Sequence, residues 1–203
     1  MNIKNNIALI VLLAIVSSCA PKYYIYKLQL TKPTVSDELK YEDERLSVAL
    51  SIQQSEVAFN LKNNSDKPLK IIWDDASFVY NGEAQKIIHK NVKFIDKEKT
   101  QAPTVIPPQS FISDFVQPID AIKFNYNSFS DNSYWSSKPI LPIISYYSAK
   151  DKKHLERVKK FLGTTVNIYI PMQQDGKLID YYFEIKVSDI HYQKNKNHTE
   201  SIF

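Results

Sequence analysis

The side chains able to do chemistry in this 203-residue chain are few, and their spacing limits what they do together. There is one cysteine, Cys19, and there are four histidines, His89, His154, His191 and His198. No two histidines stand four apart, the spacing that puts two ligands on one helix face, and no second thiol completes a zinc set. The histidines therefore read as isolated surface residues, and neither a metal nor another cofactor is expected. Asp74-Asp75, directly after Trp73, offers hard oxygen ligands. It lacks the further spaced acids and the glycine of a calcium loop, so it reads as a turn bonded by its own side chains. Only three glycines exist, Gly82, Gly163 and Gly176, and none flanks a serine. Neither a nucleophile elbow nor a phosphate-cradling loop is spelled. The catalytic route left open is a carboxylate pair distant in sequence, with Asp74, Asp75 and Asp180 as the acids that would converge in a cleft.

Aromatic residues are abundant, with 13 tyrosines, 10 phenylalanines and two tryptophans. Most fall at alternating positions, where they fill a core or pair across strands. Tyr134 and Trp135 differ. They lie in a long connection, Asn125 to Ser145, that is rich in Ser, Asn and Pro. Aromatics in such a stretch serve as binding anchors or fold back as a plug on the edge of the fold, and both readings stand.

The cysteine has a context of its own. Lys4 gives a positive start, Ile7 to Val16 are all apolar, and Val16-Ser17-Ser18 lead into Cys19. An apolar run this short suits a secretory leader, since a spanning helix needs about 20 residues. The four residues Val16 to Cys19 resemble the lipobox of bacterial lipoproteins, with Val16 and Ser18 where Leu and Gly or Ala are usual. The resemblance implies that the Cys19 thiol receives a diacylglyceryl group and that cleavage removes residues 1–18. Residues 19–22 become a tether, spanning about 10 Å when extended. Ala20, in place of the Asp of inner-membrane retention, favours the outer membrane facing the periplasm. Each buried CH₂ of the acyl chains contributes about 0.8 kcal/mol, so two or three chains make a stable anchor.

The formal charge of the chain is +4, and +3 once Lys4 leaves with the leader. That is too mild to imply nucleic acid, and the lysines and acids are interspersed as on a solvated surface. Asp37, Glu38, Glu42, Asp43 and Glu44 read as a solvated strand-entry face.

Period-two alternation dominates the rest. Tyr24, Tyr26, Leu28 and Leu30 share one face, as do Leu46, Val48, Leu50 and Ile52, and then Val57, Phe59 and Leu61. Asn63 to Pro68 is a turn by composition, after which Leu69, Ile71 and Trp73 resume the pattern. Asn81-Gly82 joins a hairpin of Phe78–Tyr80 and Lys86–Ile88. Val166, Ile168 and Ile170 form a strand that Pro171 is expected to help close. Asp175-Gly176 then turns the chain into Ile179, Tyr181, Phe183, Ile185 and Val187. Ser148 to Asp151 has capping-box spacing, and Leu155, Val158, Phe161 and Leu162 follow on one helical face up to Gly163.

These elements predict a mainly β chain: an antiparallel β-sandwich with one short amphipathic helix, in a single domain over 23–193 and a polar tail over 194–203. The stretch from Val57 to Trp73, a strand ending in Asn, a polar turn and Pro-Leu-Lys-Ile, resembles the start of immunoglobulin-like modules in exported lipoproteins. The resemblance implies an immunoglobulin-like sandwich. The function expected is that of a non-catalytic, lipid-anchored interaction module with an envelope protein partner. The rivals are an envelope hydrolase using Asp74, Asp75 or Asp180, and an immunity or inhibitor lipoprotein directed at a toxin.

Overall fold

The computed structural model describes residues 22–80, 82–126, 132–142 and 152–194. The expected leader, Cys19, the expected helix cap at 148–151 and the tail beyond 194 lie outside them. Thirteen strands are described: β1 (Lys22–Lys32), β2 (Lys40–Glu42), β3 (Leu46–Ile52), β4 (Val57–Asn63), β5 (Leu69–Ile71), β6 (Ser77–Tyr80), β7 (Glu83–Ile88), β8 (Thr104–Ile106), β9 (Phe111–Pro118), β10 (Ile122–Asn125), β11 (Tyr134–Ser137), β12 (Thr165–Gln174) and β13 (Lys177–Lys194). One helix, α1 (Lys152–Lys159), joins them.

Eleven strands form one antiparallel, nearly closed sheet in the order β1-β13-β12-β6-β7-β9-β4-β3-β2, with β5 beside β12 and β8 beside β5. The mainly β, sandwich-like class read from the alternation is what is found. β3 and β4 bury every second residue. β12 and β13 turn at Asp175 (φ 51°) and Gly176 (φ 75°). A two-residue hairpin turn of this kind needs positive φ at both positions, and Gly supplies one without strain. The inward face of β13, Tyr181, Phe183, Ile185 and Val187, is buried as the pattern requires.

Every buried apolar side chain described lies between Leu30 and Val187. The chain from Ala20 onward therefore holds the whole described core. Asp43, expected on a solvated face, instead fastens that core. It accepts hydrogen bonds from the Arg45 and Leu46 amides and from the Tyr41 and Tyr181 hydroxyls. Burial first, and then the bond to Asp43, push the Tyr181 hydroxyl far above the usual tyrosine range.

β12 does not stop at Pro171. It runs on to Gln174, with Pro171 opposite Asp180. The neighbouring strand is broken there, because the chain leaves β5 for a 3-10 turn at Trp73–Asp75 before resuming as β6. The Ile72 amide donates to the Pro171 carbonyl. Proline's missing N–H faces the same side, so only the reciprocal bond of the Pro171–Ile72 pair is absent, and it falls where β5 has already ended. Trp73 consequently sits on that turn, not in a strand, though it is buried as expected. On α1 and the turn after it, Val158 is buried, Phe161 is half-buried and Leu162 is exposed, so the apolar face is narrower than the spacing predicts. No helix among the described residues is long and apolar enough to cross a membrane.

Candidate functional site

The stretch read as an irregular connection contains a strand, β11, whose partner β10 ends where that stretch begins. After β9, a 3-10 turn at Ile119–Ala121 leads into β10, which pairs with β11 in a ribbon separate from the main sheet. Ile119 and Ile122 are buried with Ile88 in a small cluster, against which Val92 and Phe94 pack. Lys97 holds the flanking segment in place, its Nζ donating to the Ile119 carbonyl at 3.0 Å. Asn125 Nδ2 closes the ribbon on Ser136 Oγ at 2.7 Å.

In this ribbon Phe124 pairs with Trp135, and Asn125 with Tyr134. Neighbouring residues of a strand point to opposite faces, so Tyr134 and Trp135 do not share a surface. Trp135 turns to Phe124, with ring centroids 5.1 Å apart, and meets Phe94 edge-on at 6.0 Å. It is partly a plug and still 37% exposed. Phe124 is 52% exposed and Tyr126 78% exposed, while Tyr134 is also open to solvent. Ile95, on the 3-10 turn beside Phe94, adds another exposed apolar side chain. Large apolar groups gathered at one place on a surface mark a contact site more often than scattered ones do. Phe124, Tyr126, Phe94 and Ile95 are the members of this patch that sequence reasoning missed.

The ribbon is also tied to the start of the chain. Beyond β11, the Lys138 amide donates to the Ala121 carbonyl and the Ile140 amide to the Gln54 carbonyl. Leu141 enters the core. The Tyr26 hydroxyl, in β1, donates to the Pro142 carbonyl at 2.9 Å. The ribbon therefore lies at the pole where β1 begins.

A second polar centre lies inside the molecule. His89 is buried, contrary to the surface reading, and stacks on Trp73 with centroids 4.4 Å apart and planes at 3°. Its Nδ1 lies 3.2 Å from Asp114 Oδ2, and Asp114 Oδ1 accepts from the Lys90 amide at 2.8 Å. A carboxylate only accepts, so Nδ1 carries the proton in this pair. Trp73 Nε1 donates to Thr104 Oγ1 at 2.8 Å. Glu56 is near enough to Asp114 that burial first, and the neighbouring charge second, raise its carboxyl above the usual range. A shallow groove of about 520 Å³ borders this centre, lined by residues of 89–104. Gln101 lies beneath it, its Nε2 donating to the Ile87 carbonyl and its Oε1 buried without a hydrogen-bond partner among the described residues. The interlocked bonds of the His–Asp pair hold the imidazole flat on the indole, an arrangement that positions Trp73.

The three acids proposed for a cleft divide. Asp74 accepts from the Gln101 amide at 2.9 Å, in the side-chain-bonded manner expected. Asp180 accepts from the Tyr169 hydroxyl at 2.7 Å. That bond, then burial, raises the Tyr169 pKa, and the charge of Asp75 adds to the effect, so Asp75 and Asp180 both bear on one tyrosine. Both acids are exposed on the outside of the sheet. Among the described residues no three His, Cys, Asp or Glu side chains group as metal ligands.

Compared with known proteins, the chain matches no family model, no curated protein and no solved structure.

Proposed function

We propose that this protein is a non-catalytic binding module of the bacterial envelope, lipidated at Cys19, held at the outer membrane facing the periplasm, and engaging a partner through its aromatic ribbon. What carries the reading is the placement of Phe124, Tyr126, Tyr134 and Trp135. Phe124 and Trp135 share one face of a two-stranded ribbon, Tyr134 stands on the other face and Tyr126 just beyond β10, and the ribbon has its own small hydrophobic base. Rings of this kind present wide contact area at a low entropic cost, since each has only two side-chain torsions. The lipobox-like Val16-Ser17-Ser18-Cys19 supports the anchor.

The test is a photo-reactive amino acid placed at Phe124, on the face shared with Trp135, in living cells, with a control position at Lys177 beside the far turn. Discrete adducts, protein or lipid, should form at Phe124 and not at Lys177. Their absence at Phe124 sinks the ribbon as the binding surface. The anchor is read separately, by palmitate labelling of the wild type, which Cys19→Ser should abolish.

A further inference from the structure

We infer that the surface met by the aromatic ribbon is the anionic headgroup layer of the same bilayer that holds Cys19; this rests on the lipid-anchor reading above. Position gives the first reason. Tyr26 is bonded to Pro142, five residues beyond the end of β11, so the start of β1 and the ribbon share one pole. Six residues lie between Cys19 and Tyr26. They span at most about 25 Å when extended, so a lipidated Cys19 keeps that pole at the membrane. The ribbon is then presented to the bilayer at high effective concentration, and even a weak contact is populated.

Chemistry gives the second reason. Trp and Tyr favour the headgroup level of a bilayer, where the ring is shielded and the polar tip stays wet. One face of the ribbon offers Trp135 and Phe124, with Tyr126 just beyond β10 and Ile95 on the adjoining turn, and the other face offers Tyr134. Charge points the same way. Residues 89–99 and 118–138 carry six lysines against four acids. Lys90, Lys93, Lys123 and Lys138 are exposed. Lysine is depleted from the cores of protein–protein contacts, whereas each basic residue near an anionic leaflet adds about 1 kcal/mol of attraction. Two attachments, tether and ribbon, fix the body's orientation. The pole bearing the turns at Asn63–Pro68 and Asp175–Gly176 then faces away from the bilayer.

The experiment uses the chain from Ala20 to Phe203, which holds every described core residue and has no cysteine to acylate. It is mixed with vesicles of phosphatidylcholine alone or with phosphatidylglycerol. Sedimentation gives the partitioning. Indole emission gives the depth, because Trp73 is buried in either state and a blue shift reports Trp135. Binding to the anionic vesicles, with a blue shift and weakening by salt, is expected. Phe124→Ser with Tyr126→Ser, both at exposed positions, should lower the partitioning about tenfold. No binding, equal binding to uncharged vesicles, or unchanged binding by the double variant overturns the inference. A body that binds vesicles while palmitate labelling of the wild type fails keeps the ribbon and sinks the anchor. A labelled wild type whose body ignores vesicles does the reverse. A protein adduct alone at Phe124 in cells keeps the ribbon as a binding surface and sinks the membrane as its partner.

Discussion

Trp73 and Trp135 are the chain's two tryptophans, and they sit in opposite surroundings. Trp73 is 1% exposed, stacked on His89, bonded to Thr104 and packed near Phe59. Trp135 rests on two phenylalanines, one of them itself half open to water. The first belongs to a core fed by most strands of the main sheet, whereas the second stands on a base of three isoleucines. Burial favours the body, whose main cluster holds most of the buried apolar side chains. The ribbon carries rings that a core would have hidden.

The largest effect should come from truncating each tryptophan in turn. Trp73→Ala should destabilise the protein by about 3–5 kcal/mol, leaving a cavity and stranding His89. Trp135→Ala should cost no more than about 1 kcal/mol in the same denaturant titration. Equal costs would break the comparison and make Trp135 a core plug. Next comes the base of the ribbon. Ile122→Ala should cost about 2–3 kcal/mol, chiefly by loosening the ribbon. Its amides at 122–125 and 134–137 should exchange faster with deuterium while those of β12 keep their protection. If β12 loosens as well, the two regions are one cooperative unit.

The smallest effect concerns the body alone. The Glu184 carboxyl is held below the usual range, first by the Thr31 hydroxyl and then by Lys32, both on β1. A lowered folded pKa means that this contribution is full above the ordinary glutamate range and fades as pH falls through the folded value. Wild type should exceed Glu184→Gln in denaturation midpoint at pH 7, by less than about 1 kcal/mol, and the gap should close near pH 3. A gap that persists in acid would show that packing, not charge, joins β1 to β13 at this point.

Much of the body was legible because its strands bury one face. Leu46 to Leu61 and Ile179 to Val187 alternate for that reason, and Asp175-Gly176 marks its turn by composition. The ribbon was not legible as strands. Both its faces meet water along much of their length, so Lys123-Phe124-Asn125 and Tyr134-Trp135-Ser136 show no period. His89 was misread because its burial is made by Trp73 and Asp114, which approach it only through tertiary folding. Pro171 misled for a related reason. Its tolerance depends on where β5, a partner strand far earlier in the chain, comes to its end. Tyr134 and Trp135 stand out by their setting, but only the register shows that they look in opposite directions.

The ladder between β1 and β13 has a mechanical consequence. Its ten paired positions run from Lys22 opposite Lys194 to Lys32 opposite Glu184, and β13 is in turn clamped by β12. Traction on the N terminus, directed outward along β1, makes that strand slide past its neighbour. The load falls on the bonds of the ladder together, as in shear, and not on one pair after another as in a zipper. The seam between β1 and β13 is thus loaded in the direction in which a strand pair resists best.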